Sequence, residues 1–357
     1  MFKGLSLMMS RLHKGDEDML LNRFILFMAG LALGFAFMEM HLPIPFLLGG
    51  MIASLGIKSF DRDNRFTWPV RWREYGLLVG GYGIGSNFDQ RALANIVDEF
   101  PGVIGATALI MSISVALAFA TSKFAHEDKK TCILGMLPGG MTMAMLMADE
   151  DKDVNPNAIV VMQVLRMFMV VVTVPFLVVF LLHADLQQGT AFAARTGGIH
   201  WGIFLPSSLV GYYAAKYLKI PTPGLMGPII MAALVSLAFG DLQMVPEWLM
   251  MCAQVSIGSY IGMMLDIRKM MTTAKLLPYI IGGTLSMIGV SIFVGMLLSS
   301  YYSFDLITAF LAMAPGGITE MSLAGLSVGA NVAVILTYQL FRVLTINVMG
   351  PILANKC

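Results

Sequence analysis

Long apolar stretches separated by short charged clusters are the feature that most constrains how this chain can fold. The stretches run for about 17–25 residues, the length that an α-helix needs to cross the hydrocarbon core of a bilayer. Apolar residues make up 57% of the chain and charged residues 13%, whereas soluble domains carry about 25% charged residues. The charged clusters lie in the N-terminal tail and at 58–74, 123–130, 149–153 and 266–275. The pattern predicts an all-α integral membrane protein.

Composition also excludes several classes of function. The formal net charge is +1 and no basic stripe runs along the chain, so no nucleic-acid partner is expected. Cys132, Cys252 and Cys357 are scattered, and no two histidines stand four residues apart, so neither a disulfide framework nor a metal site is predicted. No cofactor is expected. The expected partners are the lipid bilayer and a small anionic substrate, and a homodimer is compatible with this class of protein.

The second half of the chain repeats motifs of the first half at an offset of 176–178 residues. Four blocks recur in the same order, and they share Pro, Gly, Asp, Gln and Arg, not only the Leu and Val common to apolar helices. The matched pairs are Pro43 and Pro221, Pro45 and Pro223, Gly49 and Gly227, Gly81 and Gly258, Gly85 and Gly262, Asp89 and Asp266, Gln163 and Gln339, Arg166 and Arg342, and Pro175 and Pro351, together with Leu-Pro-Gly-Gly-Met-Thr at 137–142 and Ala-Pro-Gly-Gly-Ile-Thr at 314–319. Such self-similarity predicts an internal duplication.

Each copy divides into six hydrophobic segments. They are 22–40, 43–58, 75–92, 101–124, 131–148 and 155–182 in the first copy, and 200–218, 222–240, 247–265, 278–300, 304–326 and 332–353 in the second. The predicted organisation is a cytoplasmic N-terminal tail (1–20), a first membrane repeat (21–183), a linker (184–199) and a second membrane repeat (200–353).

The distribution of positive charge predicts the orientation of the repeats, since Lys and Arg concentrate in cytoplasmic loops. The 58–74 and 123–130 loops are basic, whereas the 93–100 loop has no Lys or Arg. The basic residues at 216–219 and 268–275 fall on the cytoplasmic side only if each copy crosses the membrane an odd number of times. We therefore expect two inverted repeats, each with about five transmembrane helices and one re-entrant or broken element. Both termini are then cytoplasmic.

The Pro-Gly-Gly motifs are the predicted broken elements. Proline removes a backbone donor and glycine adds flexibility, so a helix unwinds there, and unwound backbone at membrane depth is tolerated only beside protein or a water-filled cavity. Breaks in corresponding segments of a transporter mark its binding site, where half-helix N-termini favour an anion. A kinked packing element without a ligand is the alternative. The predicted substrate-binding residues of the two motifs are Pro138, Gly139, Gly140, Thr142, Pro315, Gly316, Gly317 and Thr319.

Two arginines, Arg166 and Arg342, lie in the middle of apolar segments, where a charge is costly unless it is paired or hydrated. Gln163 and Gln339 precede them by three residues, so each Gln shares a helical face with its Arg. One interpretation is that the guanidinium groups and their glutamines bind an oxyanion such as a carboxylate. The alternative is that each arginine forms a buried ion pair that braces the fold.

Three acidic residues are the candidates for coupling to an ion. Glu320 stands where the first copy has Met143, and a lone carboxylate beside unwound backbone is typical of a route for Na⁺ or H⁺. Asp89 and Asp266 recur in both copies. For all three, a salt bridge to one of the two arginines is the alternative.

The duplicated Pro-Gly-Gly-x-Thr element, followed each time by a Gln-x-x-Arg helix, resembles the AbrB-type bacterial membrane family over about residues 20–353. The resemblance implies an internally duplicated inner-membrane protein with transport as its activity. Members have sometimes been labelled ammonia monooxygenases, but copper–oxygen chemistry needs clustered histidine ligands, and the five histidines are dispersed. Five helices plus a re-entrant element per copy also resemble elevator-type secondary transporters in topology.

The sequence therefore predicts a secondary active transporter, and not an enzyme, that moves a small organic anion across the bacterial inner membrane. The expected coupling ion is H⁺ or Na⁺, because the chain has no nucleotide-binding motif of the GxxxxGK[ST] type. The expected site lies between the two Pro-Gly-Gly elements. A membrane-embedded metal oxygenase and a non-transporting scaffold or sensor are the alternatives.

Overall fold

The computed structural model describes residues 2–61, 66–86, 90–139, 141–151, 153–184, 201–239, 245–302 and 304–355. All regular structure within these residues is helical. The helices are α1 (Phe2–Glu39), α2 (Pro45–Phe60), α3 (Val70–Gly85), α4 (Gln90–Ala125), α5 (Lys129–Met136), α6 (Met141–Glu150), α7 (Pro156–Phe180), α8 (Trp201–Tyr217), α9 (Pro223–Phe239), α10 (Glu247–Met264), α11 (Ile267–Thr272), α12 (Leu277–Tyr301), α13 (Leu306–Met313), α14 (Ile318–Ser327) and α15 (Val332–Asn355).

Most helices follow the predicted apolar segments. The segments 131–148 and 304–326 are each divided into two short helices, α5 with α6 and α13 with α14. Helix α1 begins at Phe2, so the segment predicted as an N-terminal tail continues the first apolar helix. The predicted linker lies outside the described residues, apart from Ala184.

Among the described residues, five helical stretches are long and apolar enough to cross a membrane: Leu20–Glu39, Phe100–Ala125, Pro156–Phe180, Ala274–Tyr301 (α12 with the 3₁₀ turn Ala274–Leu276 before it) and Val332–Ala354. The same described ranges include shorter apolar helices at Pro45–Phe60 and Pro223–Ala238. Large apolar side chains also remain exposed on these helices, including Phe24, Phe293 and Val348, as expected for surfaces that face lipid. The chain is therefore an all-helical protein of the multi-pass membrane type.

The paired prolines, Pro43 with Pro45 and Pro221 with Pro223, lie at the turn between two helices in both halves of the chain. Helix α2 begins at Pro45 and α9 begins at Pro223, where proline fits because the first helical N–H needs no intrahelical partner. The residues before them, Ile44 and Thr222, are β-branched and adopt left-handed φ values of 44° and 47°. Such a conformation is rare for branched side chains and stores strain. The same strained turn is therefore built twice.

The helices pack as two groups. The first group is α1, α2, α3, α8, α9 and α10, and the second group is α4 to α7 with α12 to α15. Contacts are dense within each group and sparse between the groups, where α14 meets α3 and α7 meets α10. In the first group α2 lies so close to α10 that a Cβ on Gly50 would be 2.5 Å from the carbonyl oxygen of Val255. Only glycine fits at such an approach.

Equivalent helices of the two halves make equivalent contacts with the opposite half of the chain. Helix α2 packs on α10, and the equivalent pair α9 and α3 also pack together. Helix α4 packs on α15, and the equivalent pair α12 and α7 do the same. Each group is therefore assembled from matching helices of both halves.

Two equivalent polar networks fix the starts of α5 and α13. Asp128 caps α5 by accepting the Thr131 N–H at 3.0 Å, and the Thr131 hydroxyl accepts the Asn155 N–H at 3.0 Å. In the second half the same bonds, at 3.1 and 2.9 Å, join Asp305, Thr308 and Asn331. Both asparagines in turn cap the following long helix. Side-chain caps of this kind satisfy helix N–H groups that have no intrahelical acceptor.

We expect Thr308→Val to destabilise the folded protein by about 1–3 kcal/mol, because it leaves the half-buried N–H of Asn331 without its acceptor. Thr308 is fully buried and Asn331 is half-buried, so access of water to the vacated position is restricted. Thr337→Val is the matched control, since the Thr337 hydroxyl bonds only to Ala333 O within its own helix. The apparent melting temperature in detergent should fall for the first variant and change little for the second; equal melting temperatures would show that the network is dispensable.

Candidate functional site

The two Pro-Gly-Gly motifs interrupt helices at matching points. Helix α5 ends at Met136 and α6 begins at Met141, and α13 ends at Met313 and α14 begins at Ile318. Each break opens with the same tight turn, in which the first glycine N–H donates to a carbonyl two residues back: Gly139 to Leu137 at 3.0 Å, and Gly316 to Ala314 at 2.8 Å. Gly139 has a φ of 128°, which side-chain-bearing residues rarely adopt.

Arg342, on α15, holds the C-terminal end of α13. Its Nη1 donates to the carbonyl oxygens of Met313 (3.2 Å) and Ala314 (2.8 Å). Its Nη2 donates to the carbonyl oxygen of Gly316 (3.0 Å) and to Gln339 Oε1. The last carbonyls of a helix lack intrahelical partners and carry partial negative charge. The guanidinium group therefore satisfies and neutralises the end of this half-helix.

Arg166, on α7, does the same for α5 with fewer bonds. Its Nη1 donates to the carbonyl oxygens of Gly135 (3.2 Å) and Met136 (2.8 Å). Gln163 donates from Nε2 to the carbonyl oxygen of Leu134 at 2.8 Å. Within the described parts of the chain Nη2 of Arg166 has no hydrogen-bond partner, and its Nε is buried and unpaired. Arg166 thus keeps donor capacity that Arg342 has largely used.

Gln339 completes the second capping cluster. Its Nε2 donates to the carbonyl oxygens of Leu311 and Ala314 at 3.0 Å each, and the side chain is fully buried. The partners of both arginines are therefore backbone carbonyls and, for Arg342, this glutamine. Among the described residues, no ion pair joins either arginine to an acidic side chain.

A cavity of about 590 Å³ lies where the two breaks meet, between the first and second helix groups. The second group contributes both breaks to its wall, through Pro138, Gly139, Pro315, Gly316 and Gly317. It also contributes the side chains of Gln163, Arg166 and Glu320. The N-terminal ends of α6 and α14 therefore border one shared space.

The first helix group contributes three polar residues to the same cavity: Arg73 on α3, Tyr260 on α10 and Thr222 at the start of α9. The Arg73 guanidinium lies over the Tyr260 ring, 4.8 Å from its centroid, a cation–π contact. The rest of the wall is apolar and rich in flexible methionine side chains, among them Met141, Met145, Met167 and Met264. The cavity therefore combines two cations with an adaptable apolar surface.

Glu320 lies in the first turn of α14 and is buried, with 6% of its surface exposed. Its carboxylate folds back over the Cα of Gly317, where a Cβ would collide with it. No cation is within salt-bridge distance of this carboxylate in the described part of the chain. Arg73 is the charged side chain whose field acts on it.

Some predicted site residues lie elsewhere. Arg342 and Gln339 cap α13 and do not line the cavity, and Thr319 is buried but is not part of its wall. Asp266 Oδ1 accepts the Arg268 N–H at 3.0 Å at the start of α11. Gly140, Asp89 and the side chain of Thr142 lie outside the described residues.

Sequence reasoning did not identify Arg73, Thr222 or Tyr260 as site residues. Arg73 lies in the charged cluster at 58–74, which the charge pattern places in a cytoplasmic loop, and Thr222 is the first residue of the hydrophobic segment 222–240. Tyr260 stands between the repeated glycines Gly258 and Gly262, which is the one signal in the sequence that could have drawn attention to it.

Comparison with known proteins confirms the resemblance found in the sequence. The chain matches the AbrB family model, described as "Transition state regulatory protein AbrB", over residues 12–357. It is 27% identical over 303 residues to "Uncharacterized protein YhjN" of Bacillus subtilis (strain 168), covering 79% of this chain and 77% of that protein. It is 24% identical over 329 residues to "Putative regulator AbrB" of Escherichia coli (strain K12), covering 91% of this chain and 93% of that protein. The family match includes both helix breaks and both arginines, and the chain belongs to the AbrB family.

Proposed function

We propose that this protein is a secondary transporter that carries a small organic anion across the bacterial inner membrane. The observation that carries the proposal is the single cavity shared by the two helix breaks, with Arg166 and Arg73 in its wall. Breaks in corresponding segments that border one cavity are the arrangement by which secondary transporters bind their substrates.

The charges around the cavity favour an anion. Arg73 and Arg166 outnumber Glu320, and the N-terminal ends of α6 and α14 add partial positive charge. Arg166 and Arg342 are also near enough to repel each other. An anionic group beside Arg166 would relieve this repulsion and accept hydrogen bonds from its Nη2.

The size and the wall of the cavity favour an organic anion. Its volume of about 590 Å³ falls in the range of about 300–1,000 Å³ typical of small-molecule sites. Met141, Met145, Met167, Ile261 and Met264 offer apolar contacts to a carbon skeleton. We therefore assign the charged end of the substrate to the arginines and its carbon skeleton to these side chains.

The two helix groups supply a route for alternating access. Contacts between the groups are sparse, and the cavity lies between them, so movement of one group against the other is the form of alternating access that we propose. Arg73, Thr222 and Met264 lie at the ends of α3, α9 and α10 that the charge pattern assigns to the cytoplasm. On this assignment the two copies are inverted and the present state opens toward the cytoplasm.

Single-cysteine labelling tests the inverted topology. In a variant without the native cysteines, cysteines at Asp98 and Gln188 should react with an impermeant maleimide in intact cells. Cysteines at Arg65, Lys129 and Lys269 should react only after permeabilisation, because the positive-inside rule places these loops in the cytoplasm. Labelling of position 269 in intact cells would contradict the inverted arrangement and favour parallel copies.

A ligand screen tests the transport proposal against its alternatives. A ligand that binds only the folded state raises its apparent melting temperature, so carboxylates with apolar bodies should stabilise the wild-type protein and not the Arg166→Gln variant. The name of the Escherichia coli relative points to a regulator, and a sensor would bind a ligand without moving it in liposomes. A metal oxygenase would carry stoichiometric copper or iron after purification.

A further inference from the structure

We propose that the coupling ion of this transporter is the proton, carried by Glu320, and that guanidinium groups occupy the backbone oxygens that would otherwise bind Na⁺. The inference rests on the proposed transport function. It concerns the same cavity but a second ligand, the proton. Proton coupling through Glu320 can therefore be disproved while anion binding is retained.

The backbone oxygens at the helix breaks already have fixed cationic partners. In transporters with broken helices, carbonyls at half-helix C-termini coordinate the coupling cation. In this protein Arg342 takes the carbonyls of Met313, Ala314 and Gly316 at 2.8–3.2 Å. Arg166 takes those of Gly135 and Met136 at 3.2 and 2.8 Å. A Na⁺ ion at either position would have to displace a buried guanidinium group that the fold itself supplies.

Glu320 is the one carboxylate that lines the cavity among the described residues. The charged and titratable groups that share the cavity with it are Arg73 on α3, Tyr260 on α10 and Arg166 on α7. It has no salt-bridge partner within the described ranges, although the field of Arg73 acts on it. Its charge therefore remains available to change during a transport cycle.

Protonation of Glu320 and binding of the anion favour each other. The ionised carboxylate repels an incoming anion and attracts the same two arginines, whereas the protonated carboxyl group does neither. In a site of low dielectric constant such charge interactions are strong. By thermodynamic linkage, if a bound proton increases affinity for the anion, the bound anion increases affinity for the proton by the same factor. The two ligands then cross together, as in symport.

The test measures binding of carboxylate probes across pH in the purified protein. Potassium hexanoate, benzoate and succinate are titrated by thermal shift and calorimetry between pH 6 and 8.5, and each series is repeated with sodium salts. We expect wild-type affinity to fall by up to about tenfold per pH unit as pH rises, because binding of one anion is linked to uptake of one proton. Replacing K⁺ with Na⁺ should leave it unchanged. Glu320→Gln should remove the pH dependence, and Glu247→Gln, an exposed carboxylate at the start of α10, should retain it.

The outcomes distinguish proton coupling through Glu320 from anion binding in the cavity. A pH dependence that persists in Glu320→Gln would overturn the assignment of the proton to this residue while leaving anion binding intact. Tighter binding in Na⁺ than in K⁺ would overturn proton coupling in the same way. If none of the three probes binds the wild-type protein in either salt, the proposed function fails for this class of substrate, and proton coupling fails with it.

Discussion

Replacing Arg342 with glutamine is expected to destabilise the folded protein by about 3–5 kcal/mol, because several buried hydrogen bonds from a charged donor are lost. The guanidinium group donates four hydrogen bonds, three of them to carbonyls at the end of α13 and the break that follows it. Glutamine is too short to reach these acceptors from α15. The Gly316 carbonyl would then lose its donor, which costs about 1–3 kcal/mol. The Met313 and Ala314 carbonyls would lose a charged donor and keep only the Ser291 hydroxyl, the Gln339 amide and the Gly316 N–H. The negative end of the α13 dipole would also lose its counter-charge.

The apparent melting temperature in detergent measures this effect. Arg342→Lys should recover only part of the loss, because an ammonium group keeps the charge but cannot reach separate carbonyls with a planar fork. Arg166→Gln is the matched comparison on the equivalent helix, and it should cost less because Arg166 makes only two of these bonds. A melting temperature equal to wild type in Arg342→Gln would refute the capping role.

Replacing Arg166 with glutamine is expected to weaken binding of a carboxylate by about 2–5 kcal/mol, which is roughly 30- to 4,000-fold in the dissociation constant. Arg166 lines the cavity and retains an unpaired Nη2. An ionised acceptor at that nitrogen forms a charge-assisted hydrogen bond, which is about twice as strong as a neutral one. Glutamine provides neither the charge nor the same reach.

Titration of a stabilising carboxylate by thermal shift measures this loss of affinity. Arg166→Lys should restore little of it, since the second donor of the fork is missing. Arg342→Lys is the control, because Arg342 does not line the cavity, and any folded fraction of it should retain ligand binding. Unchanged carboxylate affinity in a folded Arg166→Gln variant would remove this residue from the substrate site.

The division of the chain into repeated elements could be predicted from the sequence because it depends on local chemistry. Proline followed by two glycines removes an N–H donor and adds flexibility at one point, so the breaks at Pro138 and Pro315 could be predicted, whereas the isolated prolines Pro175 and Pro351 lie within continuous helices. The caps Asp128 and Asp305 could also have been predicted, since each stands three residues before a threonine at the start of an apolar segment.

The partners of the two arginines could not be predicted in the same way. A spacing of three residues places Gln163 beside Arg166, but it does not say what lies across from them. The partners are carbonyl oxygens, which every residue possesses and which leave no mark in the sequence. The two interpretations of the arginines from sequence expected either an acidic side chain or a bound oxyanion as their partner. Backbone at a helix end supplies the required negative potential instead.

The residues contributed by the other helix group also required tertiary structure. Arg73 and Tyr260 belong to segments 93 and 94 residues from Arg166 in the chain, and nothing in their local sequence links them to a Pro-Gly-Gly break. They reach the cavity because α3 and α10 pack together along the side of the second helix group. Self-similarity within the sequence shows which elements are equivalent in the two halves. It does not show which elements face each other in the fold.

Uptake into proteoliposomes is the measurement that tests the central claim most directly. The purified protein is reconstituted with an unlabelled carboxylate that stabilises it, and entry of the same compound in labelled form is followed from outside. We predict saturable counterflow by the wild-type protein and none by Arg166→Gln reconstituted to the same density. Binding without counterflow in the wild-type protein, or equal counterflow in the variant, would contradict it.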